Sequence, residues 1–498
     1  MIPLLLGIDL GTGSSKGVLT TPEGRIVASA VRPRPRSTSM PSPGWAEVDA
    51  AGVWWEDVVA LSRELTSQAR HAEIAALCVS GVGPCLLLTK DDGQPVRPAI
   101  LYGIDSRATS EISELDQRLG AEAVLARCGT PLTTQAVGPK ALWVQRHEPE
   151  VWQRATRWFN SSSFAAFRLT GEYVLDHHTA SQCVPLYDIE ENTWFVPWYD
   201  EVMGSMAAPR LVWPTEIVGS VTAQAAEQTG LPPGTPVCAG TVDAWAEAFS
   251  GGVQSPGDLL LMYGSTMFFV QELTDLAPHP QLWNTVGITP GSKCLAAGMS
   301  TSGSLAGWVQ ELVGDVPFEQ LVAEAAAIPA GSEGLLVLPY FSGERTPIFD
   351  HHARGVIAGL TLRHRRGHVF RAVYEGIAFG IRQILDLLDT AQNPVNRLVA
   401  VGGGTQGRLS TQVVSDVTGR MQEIPEQTIG ASYGDALMAA IGTGLVSPET
   451  NWAVIADVVE PRREVRPMYD ELFGLYTSLY PATMDHVHAL ARIQELHG

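Results

Sequence analysis

Two segments of this 498-residue chain repeat one design, and that repeat narrows the fold more than any other feature. Residues 5–20, LLGIDLGTGSSKGVLT, read as an apolar strand ending at Asp9, a turn through Gly11-Thr12-Gly13-Ser14-Ser15, and a strand leaving from Lys16. Asp258 to Val270 does the same around Gly264-Ser265-Thr266. Apolar runs flanking a Gly-rich turn are a β-hairpin signal. A second kind of unit also occurs twice, a strand that ends in glycine and opens a helix. It lies at 232–252 (Gly240-Thr241, helix from near Asp243) and at 397–419 (Gly402-Gly403-Gly404). The same two units in the same order predict two related α/β domains, residues 1–250 and 251–498. Gly251-Gly252 to Pro256-Gly257 forms the hinge, and the length fits two cores better than one.

Composition excludes several classes of function. The net charge is −20, from 33 basic and 53 acidic residues, which argues against nucleic acid or an anionic membrane surface as partner. Any anionic ligand must be held by local N–H groups and a cation. The six cysteines show no C-x-x-C pair and read as buried free thiols, not a disulfide frame or zinc site. The opening MIPLLLG lacks a basic leader segment, and no apolar run nears the roughly 20 residues of a membrane helix. These features predict a soluble, cytoplasmic protein.

The opening turn exposes backbone N–H groups, and a carboxylate at the strand end beside it suits a magnesium ion carrying phosphate oxygens. The residues alone equally allow an ordinary tight hairpin. A Walker loop is excluded, because no G-x-x-x-x-G-K-[ST] follows. Asp243 reads either as the N-cap of the helix running to Phe249 or as a general base. Helices are predicted over Ala51–Gln68, with Trp54 and Trp55 in the core, and over Ala108–Leu119, Val369–Leu388 and Ala431–Gly444. His177-His178 and His351-His352 lack a third ligand at zinc spacing and read as structural or exposed. GERTP (343–347) reads as a solvated salt-bridge loop, Arg363-His364-Arg365-Arg366 as a surface patch, and Arg32–Arg36 as an extended Pro-rich connection.

The ordered segments DLGTGSSK (9–16), GWAEVDAAGVWW (44–55), SGVGPCLLL (80–88), LYGIDSRA (101–108), RLTGEY (168–173), GTVDAWAEA (240–248), YGSTM (263–267), LPYFSGERTP (338–347), GVIAGLTLRHRRGHVFRAVYEG (355–376), VGGGTQ (401–406) and YGDALMAA (433–440) give the chain a family resemblance. It resembles the FGGY carbohydrate kinases over nearly its whole length, in the branch that includes xylulose kinases. The resemblance implies two actin-like (ribonuclease-H-like) domains with an interdomain cleft for ATP and sugar. It also implies ATP and Mg2+ as cofactors, a small-molecule sugar as substrate, and a homodimer.

The resemblance further implies the roles of single residues. Asp243 is then the general base, touching substrate and metal, and Asp9 holds the metal. Thr12, Gly13, Ser14 and Lys16 form the first phosphate turn, Gly264, Ser265 and Thr266 the second. Gly403, Gly404, Thr405 and Gln406 line the adenosine pocket, with Gly303 and Asp435 as further nucleotide contacts. Ser80, Gly81 and Gly83 form one sugar loop; Tyr102, Asp105 and Arg107 form another, with Trp45 and Glu47 as a wall. Xylulose kinases resemble S-G-Q-M-H-G at the first loop, where this chain carries Val82-Gly83-Pro84-Cys85. The expected reaction is phosphorylation of a primary hydroxyl of a ketopentose, D-xylulose or a related pentulose. Glycerol or another polyol is the alternative substrate class, and a non-catalytic nucleotide-binding sugar sensor the alternative from another class.

Overall fold

The computed structural model describes residues 3–34, 37–69, 73–390 and 392–497. Met1 and Ile2 of the opening run, and Pro35 and Arg36 of the Pro-rich connection, lie outside the described residues. The chain divides into two compact units. The first comprises residues 1–254, 276–294 and 429–453, and the second 255–275, 295–428 and 454–498.

The first unit is built on a six-stranded sheet. Its strands are β1 (Pro3–Leu10), β2 (Ser14–Thr20), β3 (Ile26–Pro33), β4 (Glu73–Gly81), β5 (Ile217–Ser220) and β6 (Pro236–Cys238), in spatial order β5-β6-β4-β1-β2-β3. The opening segment is the predicted hairpin, β1 pairing antiparallel with β2 so that Asp9 faces Lys16 and Leu10 faces Ser15. β4 adds in parallel on the other side of β1. Such strands are covered on both faces, so β1 is buried over seven of its eight residues, from Leu4 to Leu10.

A helix from late in the chain, Ala431–Gly442, belongs to this unit and is buried over ten of its twelve positions. Glycine lets it approach. An added Cβ on Gly7 of β1 would lie 1.9 Å from the Ser432 carbonyl oxygen. One on Gly434 would lie 2.0 Å from the carbonyl oxygen of Ala246, in the helix Asp243–Ser250. Real Cβ atoms do not sit so close, so both contacts are backbone on backbone.

On the outer side of the hairpin, Asp57 of the helix Glu56–Gln68 is wholly buried. It accepts from Ser15 Oγ at 2.7 Å, Arg32 Nε at 2.8 Å, and Arg34. Burial raises its carboxyl, but the bonds from Arg34, Ser15 and Arg32 outweigh that and hold it below the usual carboxylate range. Breaking a buried pair costs roughly 3–5 kcal/mol, and solvent reaching both arginines reduces the figure, so Asp57→Asn is expected to lose about 2 kcal/mol at pH 7. A depressed folded pKa stabilises above the unfolded value, about 3.9, and that contribution is lost as pH falls through the folded value. Urea unfolding at pH 7 and pH 3.5 checks it: the gap between wild type and variant should be smaller at the lower pH.

The second unit repeats the plan. β7 (Asp258–Tyr263) and β8 (Met267–Leu273) form the second predicted hairpin, and β9 (Arg397–Val401) adds in parallel to β7. With β10 (Gln422–Pro425) and β11 (Ile455–Val459), the order is β8-β7-β9-β10-β11. The predicted 369–388 helix is observed as Arg366–Leu388, with Phe370, Phe379 and Ile381 in the core. Trp54 and Trp55 are buried in the first unit, as expected.

One local expectation changes, and two others hold. Glu344 of the GERTP loop is 3% exposed and accepts from the Ser300 and Arg345 amides, so the loop folds inward and is not solvated. His178 is wholly buried, its Nδ1 2.6 Å from the Val286 carbonyl oxygen. Burial pushes its pKa down to about 4, leaving it neutral. All six cysteines are free and buried, and no described helix is long and apolar enough to cross a membrane.

Candidate active site

In the first unit, pairing in the sheet brings strand ends together. Asp9 faces Ser80 across the β1–β4 pair, and the Gly81 amide donates to the Thr241 carbonyl just before Asp243. Asp243 is the first residue of its helix, after an N-cap at Val242. The N-cap reading therefore fails: the Asp243 side chain makes no capping bond across the first turn. Its Oδ1 accepts only from the adjacent Ala244 amide, 2.8 Å, and Oδ2 has no hydrogen-bond partner among the described residues.

The surroundings make this carboxyl unusual. Loss of water raises Asp243 to about 6, against lowering by the Ala244 bond and the Lys16 ammonium. Burial pushes Asp9 well above the carboxylate range; the Asp243 charge adds to the rise and Lys16 opposes it. Asp9 Oδ1 is buried and accepts no hydrogen bond among the described residues. Glu247, one helical turn after Asp243, rises to about 7 through loss of water, with Lys16 opposing. Glu247 was missed from sequence, although its i+4 spacing from Asp243 places it on the same helix face. Lys16 Nζ lies 3.5 Å from the Ile429 carbonyl oxygen, amid these three acids.

The opening turn is open at its tip: a Cβ on Gly13 would meet nothing within 4 Å. Thr12 Oγ1 lies 3.3 Å from the Tyr102 hydroxyl, tying the turn to the second predicted sugar loop. The first such loop is fixed by its backbone. The Val82 amide donates to Leu10 O, Ser161 Oγ donates to Val82 O at 2.6 Å, and the Cys85 amide donates to Asn160 Oδ1. A Cβ on Gly83 would lie 2.9 Å from Val242, so this loop runs directly beside Asp243. Gly81 is equally confined, a Cβ there meeting Ser161 Oγ at 2.7 Å.

Four residues expected at ligands take other partners. Ser80 is wholly buried and donates to Asp435 Oδ2 at 2.7 Å. Asp435, expected at the nucleotide, lies instead in the first unit's Ala431–Gly442 helix, wholly buried, with burial and the Asp9 charge raising it well above the usual range. Asp105 and Arg107 bind each other: both Asp105 oxygens accept from Arg107, and Oδ2 also accepts from the Ala46 amide. Arg107 further reaches Glu47 at 2.7 Å and lies 4.2 Å over the Trp45 ring and 5.0 Å over Trp143. With its side chain wholly buried, this pair shapes the loop from beneath.

In the second unit, the Gly264-Ser265-Thr266 turn is exposed, and Ser302-Gly303-Ser304 docks on it. The Gly303 amide donates to Gly264 O and the Ser302 amide to Ser265 O. A cavity of about 780 Å³ opens beside them, lined by Gly264, Ser265, Gly303, Gly403, Gly404 and Gln406 together with apolar Phe318, Tyr374 and Ile377. Thr266 and Thr405 are not in its wall; Thr405 donates to Gly402 O, closing its own turn. Gly402 and Gly404 are required by Tyr263, which a Cβ on either would strike at 2.4 and 2.9 Å. Gly403 meets nothing and faces open space.

Known proteins share this architecture. Residues 4–250 match the FGGY family of carbohydrate kinases, N-terminal domain, and residues 259–443 match the C-terminal domain of that family. A xylulose kinase crystal structure from Rhodospirillum rubrum superposes with a TM-score of 0.89 at 32% identity, covering 97% of this chain and 100% of that one. The structure of a xyloylose kinase from Brucella ovis gives 0.89 at 27%, covering 98% and 100%. The xylulose kinase of Lactococcus lactis is 28% identical over 99% of both chains. Duplicated hairpin units, acids gathered at the strand ends of the first and a glycine-lined cavity in the second thus agree with full-length similarity: this chain belongs to the FGGY family of carbohydrate kinases.

Proposed function

We propose that the protein transfers the γ-phosphoryl group of ATP to a primary hydroxyl of a ketopentose, D-xylulose first. The observation that carries this reading is the Asp243 carboxyl, with one oxygen unpartnered among the described residues and its pKa raised to about 6. Such a group is ionised at neutral pH yet basic enough to take a proton from an alcohol as its bond to phosphorus forms. The cavity beside Gly264 and Gly403 suits the nucleotide: apolar walls for a base, amide-bearing turns for phosphates. The name of the substrate rests on the similarity to xylulose kinases.

Magnesium is the divalent ion this reading requires, and the first unit fits it. Asp9 presents a buried oxygen with no hydrogen-bond partner among the described residues, beside Asp243, and both carboxyls are raised, Asp9 partly by the Asp243 charge. Asp9 and Asp243 would hold the ion, which when bound neutralises phosphate charge. This chain's own groups act around it: Thr12 and the open Gly13 turn orient a phosphate, and Asp243 receives the proton.

ADP release with magnesium-ATP across ketoses, aldoses and polyols tests the reading. Release that depends on sugar and is greatest with D-xylulose is expected. Preference for glycerol would move the assignment to polyols, and tight ATP binding without turnover on any acceptor would favour a sensor.

A further inference from the structure

A second polar cavity, of about 440 Å³, lies in the first unit, lined by Arg168, Gln224, Gln228, Thr222, Phe167 and Asp92. None of these residues belongs to the candidate active site. The notable group is Arg168. Its guanidinium lies 4.5 Å over the Trp55 ring and 5.7 Å from Phe164, and it makes no hydrogen bond or ion pair among the described residues. The deeply buried arginines of this unit, Arg97 and Arg107, are matched, Arg97 by Glu47 and Glu148 and Arg107 by Asp105 and Glu47. Arg168 instead has its pKa lowered by burial alone, with no carboxylate acting against the loss of water.

Its neighbours define what would complete it. The guanidinium packs against the rings of Trp55 and Phe164, and its N–H groups, without a hydrogen-bond partner among the described residues, suit a planar or tetrahedral oxyanion. Gln228 is itself held, Oε1 accepting from Trp55 Nε1 at 2.8 Å. Gln224, Gln228 and Thr222 offer amide and hydroxyl groups that pair with alcohols. Asp92 at the rim is engaged by the Gln94 amide at 2.9 Å, and its charge disfavours a highly charged anion. In a chain of net charge −20, an uncompensated arginine in a cavity is a local exception to the overall field.

We propose that this cavity is a binding site, separate from the candidate active site, for a small hydroxylated oxyanion such as a sugar phosphate or sugar acid. Arg168 takes the anionic group, and Gln224, Gln228 and Thr222 take the hydroxyls. The proposal stands whatever sugar the kinase phosphorylates, since it uses none of the proposed catalytic residues.

The test is calorimetric titration of D-ribose 5-phosphate, D-gluconate and inorganic phosphate into the full chain, wild type and Arg168→Gln. Basal sugar phosphorylation, measured without probe, should be the same in both. At least one probe should bind at least tenfold more weakly to Arg168→Gln. Arg168→Lys, which keeps the charge and the packing over Trp55 but loses the fork, should bind at least threefold more weakly and serves if the glutamine variant fails to fold. A loss confined to ribose 5-phosphate identifies a phosphate-ester site; one shared with gluconate identifies a general oxyanion site; a loss with inorganic phosphate assigns the anion to Arg168. Indistinguishable isotherms for wild type and both variants with all three probes, including no binding at all, would overturn the proposal.

Discussion

Replacing Asp243 by asparagine is expected to lower the turnover of sugar phosphorylation by about 10²–10⁴-fold, the usual contribution of a general base. The substitution keeps size and shape, and the Ala244 amide can still donate to the amide oxygen. Circular dichroism and the urea midpoint should therefore stay near wild type. In the wild type, kcat/KM should fall as pH drops below about 6, where the Asp243 carboxyl takes up its proton. The sign follows from the base having to be ionised. Glu247, raised to about 7, adds negative charge beside it as pH increases, which holds the Asp243 proton more tightly and so broadens that limb. A variant that turns over at the wild-type rate, or an acid limb that survives Asp243→Asn unchanged, would remove Asp243 from the proton path.

Gly7→Ala should have the largest effect on stability, a loss of at least about 3 kcal/mol, the upper end for overpacking a tight core. The added methyl would sit 1.9 Å from the Ser432 carbonyl oxygen and 2.6 Å from the Ala436 amide nitrogen. Neither is the end of a flexible side chain, so the Ala431–Gly442 helix must move off β1. Urea unfolding gives the size of the effect. The same shift would part Asp435 from Ser80, so activity should fall along with stability. Gly13→Ala, at a position with open space, is the control and should leave the midpoint unchanged.

What could be read from the sequence was what is local. Both hairpins follow from apolar runs around Gly-rich turns, and their strands pair within the span of each signal. The positions of Asp9, near the end of β1, and of Asp243, at a helix start, were legible from the turn and strand-to-helix signals beside them. The placement of Asp435 was not. Its helix shows only small residues, and nothing in YGDALMAA says that it packs on β1, more than 400 positions earlier. The partners of Ser80, Asp105 and Arg107 were hidden for the same reason: a polar side chain in a loop reads as ligand-facing until a buried partner is seen. Gly403 and Gly404 border the cavity, but the need for glycine at 402 and 404 has a different cause, since Tyr263 demands those two and leaves Gly403 to the cavity.

The late helix also fixes when the first unit can be completed. At synthesis rates of 5–20 residues per second, roughly 20–90 s separate the emergence of β1 from that of Ala431–Gly442. Through that interval the face of β1 at Gly7 and the Ser80 hydroxyl await partners the ribosome has not yet made. A chain cut at residue 254 never receives them. The first unit is thus a late-closing body, and the nascent chain must keep an apolar strand face shielded until nearly nine-tenths of the protein exists.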